Sequence, residues 1–241
     1  MDSRTELAAR FAGLSQSLLG WRAEPVSFEM VAHRAVEVVP GCRWAGITMR
    51  RGARGTSMAS TGPVAARLDE LQYALAEGPC LEAARERAHC ISPDLEAESR
   101  WPAWSGEARA LGVGSVLSVR LHTDSETLGA LNLYAPCPHV FDAPALDIAA
   151  IFAIHATSAL EQAKLVAGLQ SAMQSRHVIG IAQGVLAVRY GIAYDTAFDV
   201  LRRLSNELNV KLKDLAQQVA DQRGLPDEAT GANGRPPLPP V

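Results

Sequence analysis

Apolar positions between Arg176 and Asp221 recur every three or four residues in three successive blocks. Ile179, Ala182 and Leu186 mark the first, Ala197, Leu201 and Leu204 the second, and Leu212, Leu215, Ala216 and Val219 the third. That period puts each set on one face of a helix, and three such faces close one small core. Gly191 and the Asn206 to Asn209 region supply the stops, because Gly accepts left-handed torsions and Asn bonds back to the local backbone. Upstream the pattern is mixed. Leu7, Phe11, Leu14 and Leu18 predict a helix over 2–20, and a second helix is expected from the cap Ser27 to Val38, ahead of Pro40-Gly41. From Cys42 the period drops to two, with Trp44, Gly46, Thr48 and Arg50 alternating against Ala45, Ile47 and Met49, which predicts a strand.

A short strand at 56–60 and a helix at 64–75 follow, then the breaker Ala76-Glu77-Gly78-Pro79-Cys80 opens another helix over 81–87. A strand is expected at 90–92 and a helix at 99–111, holding Trp101 and Trp104 and ended by Gly112. Two alternating strands, 114–122 and 128–135, flank a polar turn that suits a hairpin. A long helix starts near Pro144. No proline intervenes before Pro226, so that helix can continue into the last third of the chain. Along it Ile148, Phe152, His155, Ala159, Gln162, Val166, Leu169 and Met173 follow a 4-3 alternation, the spacing that keeps a stripe facing a partner helix. The first half of the stripe, to Ala159, equally suits packing over a sheet. A homodimer is expected.

Residues 176–221 resemble the ANTAR RNA-binding domain of transcription antiterminators. The resemblance rests on Ile179, Ala182, Gly184 and Leu186, on Tyr190-Gly191-Ile192, Ala197-Phe198, Leu201-Arg202 and Ser205, and on Lys211-Leu212 with Leu215-Ala216. Gln183 departs from a frequent Lys, and Ala193 and Thr196 replace the Ser and Glu of a common capping box, so Asp195 is expected to cap the helix instead. The upstream element order resembles a GAF domain over about 27–164. Its Glu-Gly-Pro-Cys at 77–80 followed by Pro-Asp-Leu, its Ser-Val-Leu-Ser-Val-Arg-Leu strand, its Leu-Gly-Ala-Leu-Asn-Leu-Tyr-Ala-Pro strand and Phe141-Asp142 look like the GAF domains that precede ANTAR domains in actinobacterial regulators.

Together the resemblances imply an α+β chain: a PAS-like GAF sensor on an antiparallel sheet, a long connecting helix and an all-α three-helix ANTAR bundle. The expected divisions are a helical segment at 1–26, the GAF domain at 27–164, the ANTAR domain at 165–223, and a disordered Pro- and Gly-rich tail at 224–241. They imply a signal-responsive antiterminator that binds paired RNA hairpins in a nascent transcript and so prevents a terminator from forming. The alternative is a sensor whose helical end contacts a protein.

Charge bears on the partner. The 241 residues carry a net charge of −3, yet Lys164 to Arg223 holds eight basic residues against five acids. The surplus falls on the RNA-binding part, and it is modest, so charge alone would bind RNA weakly. Arg176, Arg189, Arg202, Arg203, Lys211 and Lys213 are the candidate phosphate contacts, and Tyr190 a candidate stacking platform for an unpaired base. Trp44, Met58, Trp101, Trp104, Leu117 and Tyr134 are the candidate lining of a small-molecule pocket over the sheet.

Other chemistry finds no motif. The chain has no HExxH, Walker loop, nucleophile elbow or dinucleotide-binding glycine pattern, so it is not expected to be an enzyme. Cys42, Cys80, Cys90 and Cys137 lie far apart without a CxxC pair and read as reduced thiols, with no metal and no cofactor expected. No uninterrupted apolar run approaches the roughly 18 residues that span a bilayer, and the first twenty residues show no signal pattern, so a cytoplasmic protein without a membrane partner is expected.

Overall fold

The computed structural model describes residues 26–51, 54–85, 88–123 and 126–226. The helix expected over 2–20 lies outside them, as does the tail beyond Pro226. The chain divides into two compact units, residues 1–164 and 165–241.

The first unit is a five-stranded antiparallel sheet of order β2-β1-β5-β4-β3. Its strands are β1 (Trp44–Arg51), β2 (Arg54–Ser60), β3 (His89–Ser92), β4 (Ser115–His122) and β5 (Thr127–Ala135). Helices cover both faces. On one side α1 (Phe28–Val38) and the start of α5 (Ala143–Tyr190) pack on Ala45, Ile47, Leu117, Val119, Leu131 and Leu133. Ser27 caps α1 by accepting from the amide of Met30. From α5 the residues that meet the sheet are Ala145, Ile148, Ala149, Phe152, Ala153, Ala156 and Leu160. On the other side α2 (Pro63–Leu75), α3 (Pro79–Arg85) and α4 (Pro102–Ala110) enclose Leu68, Leu71, Trp101, Trp104, Val116 and Tyr134.

Helix α5 is long and apolar enough to cross a membrane by length and composition, with an 18-residue window of mean hydropathy 1.5. Its apolar face as far as Leu160 is spent on the sheet. Beyond Leu160 no residue is buried again until Val178. In that interval Leu165, Val166, Leu169 and Met173 stand open to solvent, Met173 at 71%.

In the second unit the end of α5 joins α6 (Tyr194–Glu207) and α7 (Leu212–Gln222) around Ala182, Leu186, Ala197, Leu201, Leu204, Leu215 and Val219. The first of the three helices expected over 176–221 is therefore the carboxy-terminal part of α5. Gly191, at φ +63°, stops it, and Asn209, at φ +53°, follows α6. Asp195 does not cap α6. The helix begins two residues earlier than such a cap would start it, its N-cap is Ala193 with no side-chain hydrogen bond, and Asp195 sits in the first turn, where its charge suits the helix dipole. Tyr194 holds the start in place, donating from its hydroxyl to the Gly180 carbonyl at 3.2 Å.

Candidate sensor site and nucleic-acid interface

The sheet face under α2 and α3 carries a connected set of buried polar groups. Strand alternation places Gly46, Asn132, Ser118 and Cys90 in one row across β1, β5, β4 and β3, with Trp44, Tyr134, Val116 and Ser92 in the row beside it. Asp69 descends from α2 onto these rows and is fully buried. Its Oδ1 accepts from the Tyr134 hydroxyl at 2.7 Å and from Asn132 Nδ2 at 2.9 Å. Ser118 Oγ in turn donates to Asn132 Oδ1 at 2.8 Å. Gln72, one turn along α2, donates to the Tyr134 oxygen at 3.2 Å and accepts the Cys80 amide at 2.7 Å. The Cys80 thiol lies 2.9 Å from Thr48 Oγ1.

One atom in this set has no partner. Asp69 Oδ2 is buried without a hydrogen bond. It rests against Gly46, where a Cβ would overlap the carboxyl group, so only glycine leaves room for Asp69 at that point of β1. Burial in the absence of a compensating cation pushes the Asp69 carboxyl up to about 7, against the opposing pull of the Tyr134 and Asn132 hydrogen bonds. The Cys80 thiol is also pushed up, first by burial, and is a poor nucleophile for that reason. Cys42, Cys80 and Cys90 are buried, Cys137 is exposed, and all four are unbridged.

The Glu-Gly-Pro-Cys run organises this face. Glu77 accepts the free amides of Ala103 at 2.9 Å and Trp104 at 3.2 Å, which caps α4 in place of a side chain at its own N-cap, Trp101. Pro79 opens α3 and Cys80 enters the polar set.

Of the six residues expected to line a pocket, four share this face. Trp101, Trp104 and Tyr134 are buried together, with ring centroids 6.0 Å apart for the tryptophans and 6.5 Å for Trp104 and Tyr134. Trp104 donates through Nε1 to the Leu68 carbonyl at 3.2 Å. Trp44 packs half-buried against them. Leu117 is on the opposite face, in the core under α1 and α5, and Met58 is exposed on the edge strand β2. Neither reaches the aromatic group by way of the sheet. The groups around the Tyr134 hydroxyl, namely the Asp69 carboxyl, the Gln72 and Asn132 amides and the Ser118 and Thr48 hydroxyls, are not among those six. Their signal is Asn132 inside an apolar strand, and Asp69 and Gln72 on the helix face that also carries Ala65 and Leu68.

The candidate RNA contacts of the second unit differ in availability. Arg176, Lys211 and Lys213 are exposed. Arg189 donates to the Arg223 carbonyl at 2.8 Å and lies 6.0 Å from the Tyr190 ring, which itself packs on the bundle core. Arg202 pairs with Asp199 at 3.0 Å. Arg203 is half-buried; it lies 3.6 Å from Glu207, and its Nε and Nη2 are closed off from solvent without a hydrogen bond. A cation so placed contributes little to an encounter with phosphates.

Comparison with known proteins divides the chain in the same places. The GAF domain model matches residues 27–161 and the ANTAR domain model residues 167–219. No curated protein matches. Among solved structures, the GAF domain of a phosphoenolpyruvate-protein phosphotransferase from Coxiella burnetii is 15% identical, with a TM-score of 0.52 over 69% of this chain and 99% of that one. A bacteriophytochrome from R. palustris is 10% identical, with a TM-score of 0.53 over 73% of this chain and 42% of that one. A GAF domain/HD domain protein from Geobacter sulfurreducens is 19% identical, with a TM-score of 0.47 over 56% and 90%. At these identities the likeness to the first two shows the fold alone.

Proposed function

The chain belongs to the GAF domain family, and from that premise, with an ANTAR domain following, we propose a signal-responsive transcription antiterminator of the kind found in actinobacterial regulators. ANTAR is the RNA-binding antiterminator domain and GAF a sensor domain. In this reading the ANTAR bundle holds paired hairpins in a nascent transcript, a terminator hairpin does not form, and transcription continues. The GAF domain responds to a small molecule or a redox signal at the face beneath α2 and α3. The protein acts in the cytoplasm, as a regulator and not as an enzyme.

The observation that carries the proposal is the order of the two matched domains, only five residues apart, within which α5 continues. Two hairpins suit two ANTAR units, hence a homodimer. The uncovered stripe of Val166, Leu169 and Met173 supports it, since an isolated helix seldom leaves such side chains in water without a partner. The signal then acts by shifting the paired helices between two arrangements.

The test is binding of the purified full chain to a tandem-hairpin RNA and to a loop-scrambled control over a salt series. Tight, loop-dependent binding with a salt slope of a few is expected. Equal and weak binding of both RNAs, with capture of a protein by the same helical end, supports the alternative that this end docks on a protein.

A further inference from the structure

The uncovered stripe of α5 does not end at Met173. Val166, Leu169 and Met173 recur eleven residues later as His177, Gly180 and Gly184, and eleven after His177 comes Val188. Eleven residues make three whole turns, so these seven positions form one straight row along the helix, all of it within the second unit. Met173 is 71% exposed and Val188 87%.

Beside the far end of the row lies a groove of about 540 Å³ between α5 and α7, lined by Ile181, Gly184, Val185, Val188 and Ala220. Gly184 contributes no side chain to fill it. A Cβ there would meet no atom within 4 Å, so nothing inside the bundle calls for glycine, although glycine is a poor helix former. We propose that a second copy of this chain occupies the groove: the two helices pair in parallel along the row, and Val188 of each copy seats over Gly184 of the other. This rests on the homodimer proposed above and extends it from the stripe into the RNA-binding bundles.

Three observations select a second copy. The stripe from Val166 to Met173 is about two turns, whereas helices joined by such a seam sustain it over three or more heptads. Continuing to Val188 gives 23 residues, about 34 Å. The knob and the hole also sit one turn apart on a single surface, which is what a two-fold interface asks of each partner. In a parallel pair each position faces its own equivalent, so Val188 arrives beside Gly184 and Val188 of the other helix, where the missing side chain admits it. The row, finally, carries no lysine, arginine or acid, and His177 is its one polar member. It offers phosphates no fixed cation.

The experiment uses the full chain with Cys137→Ser, which removes the one exposed thiol among the four cysteines. In that background Val188→Cys is expected to give a covalent dimer with a short bifunctional maleimide, at least tenfold faster than Gln218→Cys, which is exposed on α7 outside the groove. Gly184→Leu and Val188→Asp are each expected to weaken the dimer at least tenfold in sedimentation, with helical content unchanged. A wild-type dimer that links no faster at 188 than at 218, or keeps its affinity in both variants, overturns the proposal and leaves the homodimer on the stripe alone. A wild-type chain that stays monomeric overturns both. Variants that lose hairpin RNA while their dimer is unchanged also overturn it, and assign the groove to RNA.

Discussion

The Tyr134 hydroxyl on β5 donates a 2.7 Å hydrogen bond to Oδ1 of Asp69 on α2, 65 residues earlier in the chain. Through that bond the helix is held to the sheet by a carboxyl group whose second oxygen has no partner. Such a group stays neutral more readily when folded than when unfolded.

The Asp69 carboxyl is raised to about 7 by burial, against an ordinary value near 4, so the folded state holds the proton more tightly than the unfolded one. Its contribution is complete at acid pH and is lost as pH rises through the folded value. Unfolding midpoints in urea are therefore expected to fall between about pH 4 and 7 and to level off above, by an amount worth a few kcal/mol at most. In Asp69→Asn that fall is expected to disappear, whatever the variant's absolute stability. A fall of equal size in both proteins contradicts the assignment.

Gly46→Ala places a Cβ where the Asp69 carboxyl lies. The expected cost is about 1–3 kcal/mol, the usual penalty of overpacking a filled core. The same substitution in an Asp69→Ala background should cost distinctly less, because the two sites share one contact. Denaturation midpoints of the four proteins give the coupling.

Cations of the helical unit should separate by availability. Arg176→Ala and Lys213→Ala, both at exposed positions, are each expected to lower the salt slope of RNA binding by about 1. Arg203→Ala is expected to leave the slope unchanged and to act on stability, because two of its nitrogens are closed off from solvent. Equal effects at all three positions contradict this ranking.

Leu169→Glu with Met173→Glu tests the stripe on α5. Both side chains are exposed, at 58% and 71%, so the fold of each unit should persist while sedimentation shifts from dimer to monomer. A wild-type chain that already sediments as a monomer contradicts the dimer.

The residues that expose the fold in the sequence are those whose period is clean. Trp44 to Arg50 alternates, and β1 occupies that stretch; Leu212, Leu215 and Val219 recur at helical spacing, and all three lie on the inner side of α7. Leu117 shows where the pattern runs out. Helices cover both faces of the sheet, so β4 is buried on nearly every position and its apolar residues do not declare which face they take. Parity against Tyr134 in the paired strand decides it, and pairing is not a property of one segment. Asp69 was hidden for a related reason: a carboxylate on an amphipathic helix ordinarily marks the solvent side, and only the nearness of Tyr134 and Asn132 makes the buried position tolerable. Asp195 is the better capping residue by side chain, yet the Tyr194 anchor to Gly180 fixes where α6 begins and leaves Asp195 in the first turn.

Single-round transcription in vitro through a terminator preceded by a tandem-hairpin leader measures the proposed activity itself. With the full chain added, readthrough is expected to rise several-fold, to depend on the loop sequences of both hairpins, and to fall with the Arg176→Ala and Lys213→Ala variants. Readthrough that is unchanged by the protein at concentrations saturating the hairpins, with and without a cell extract to supply the signal, contradicts antitermination.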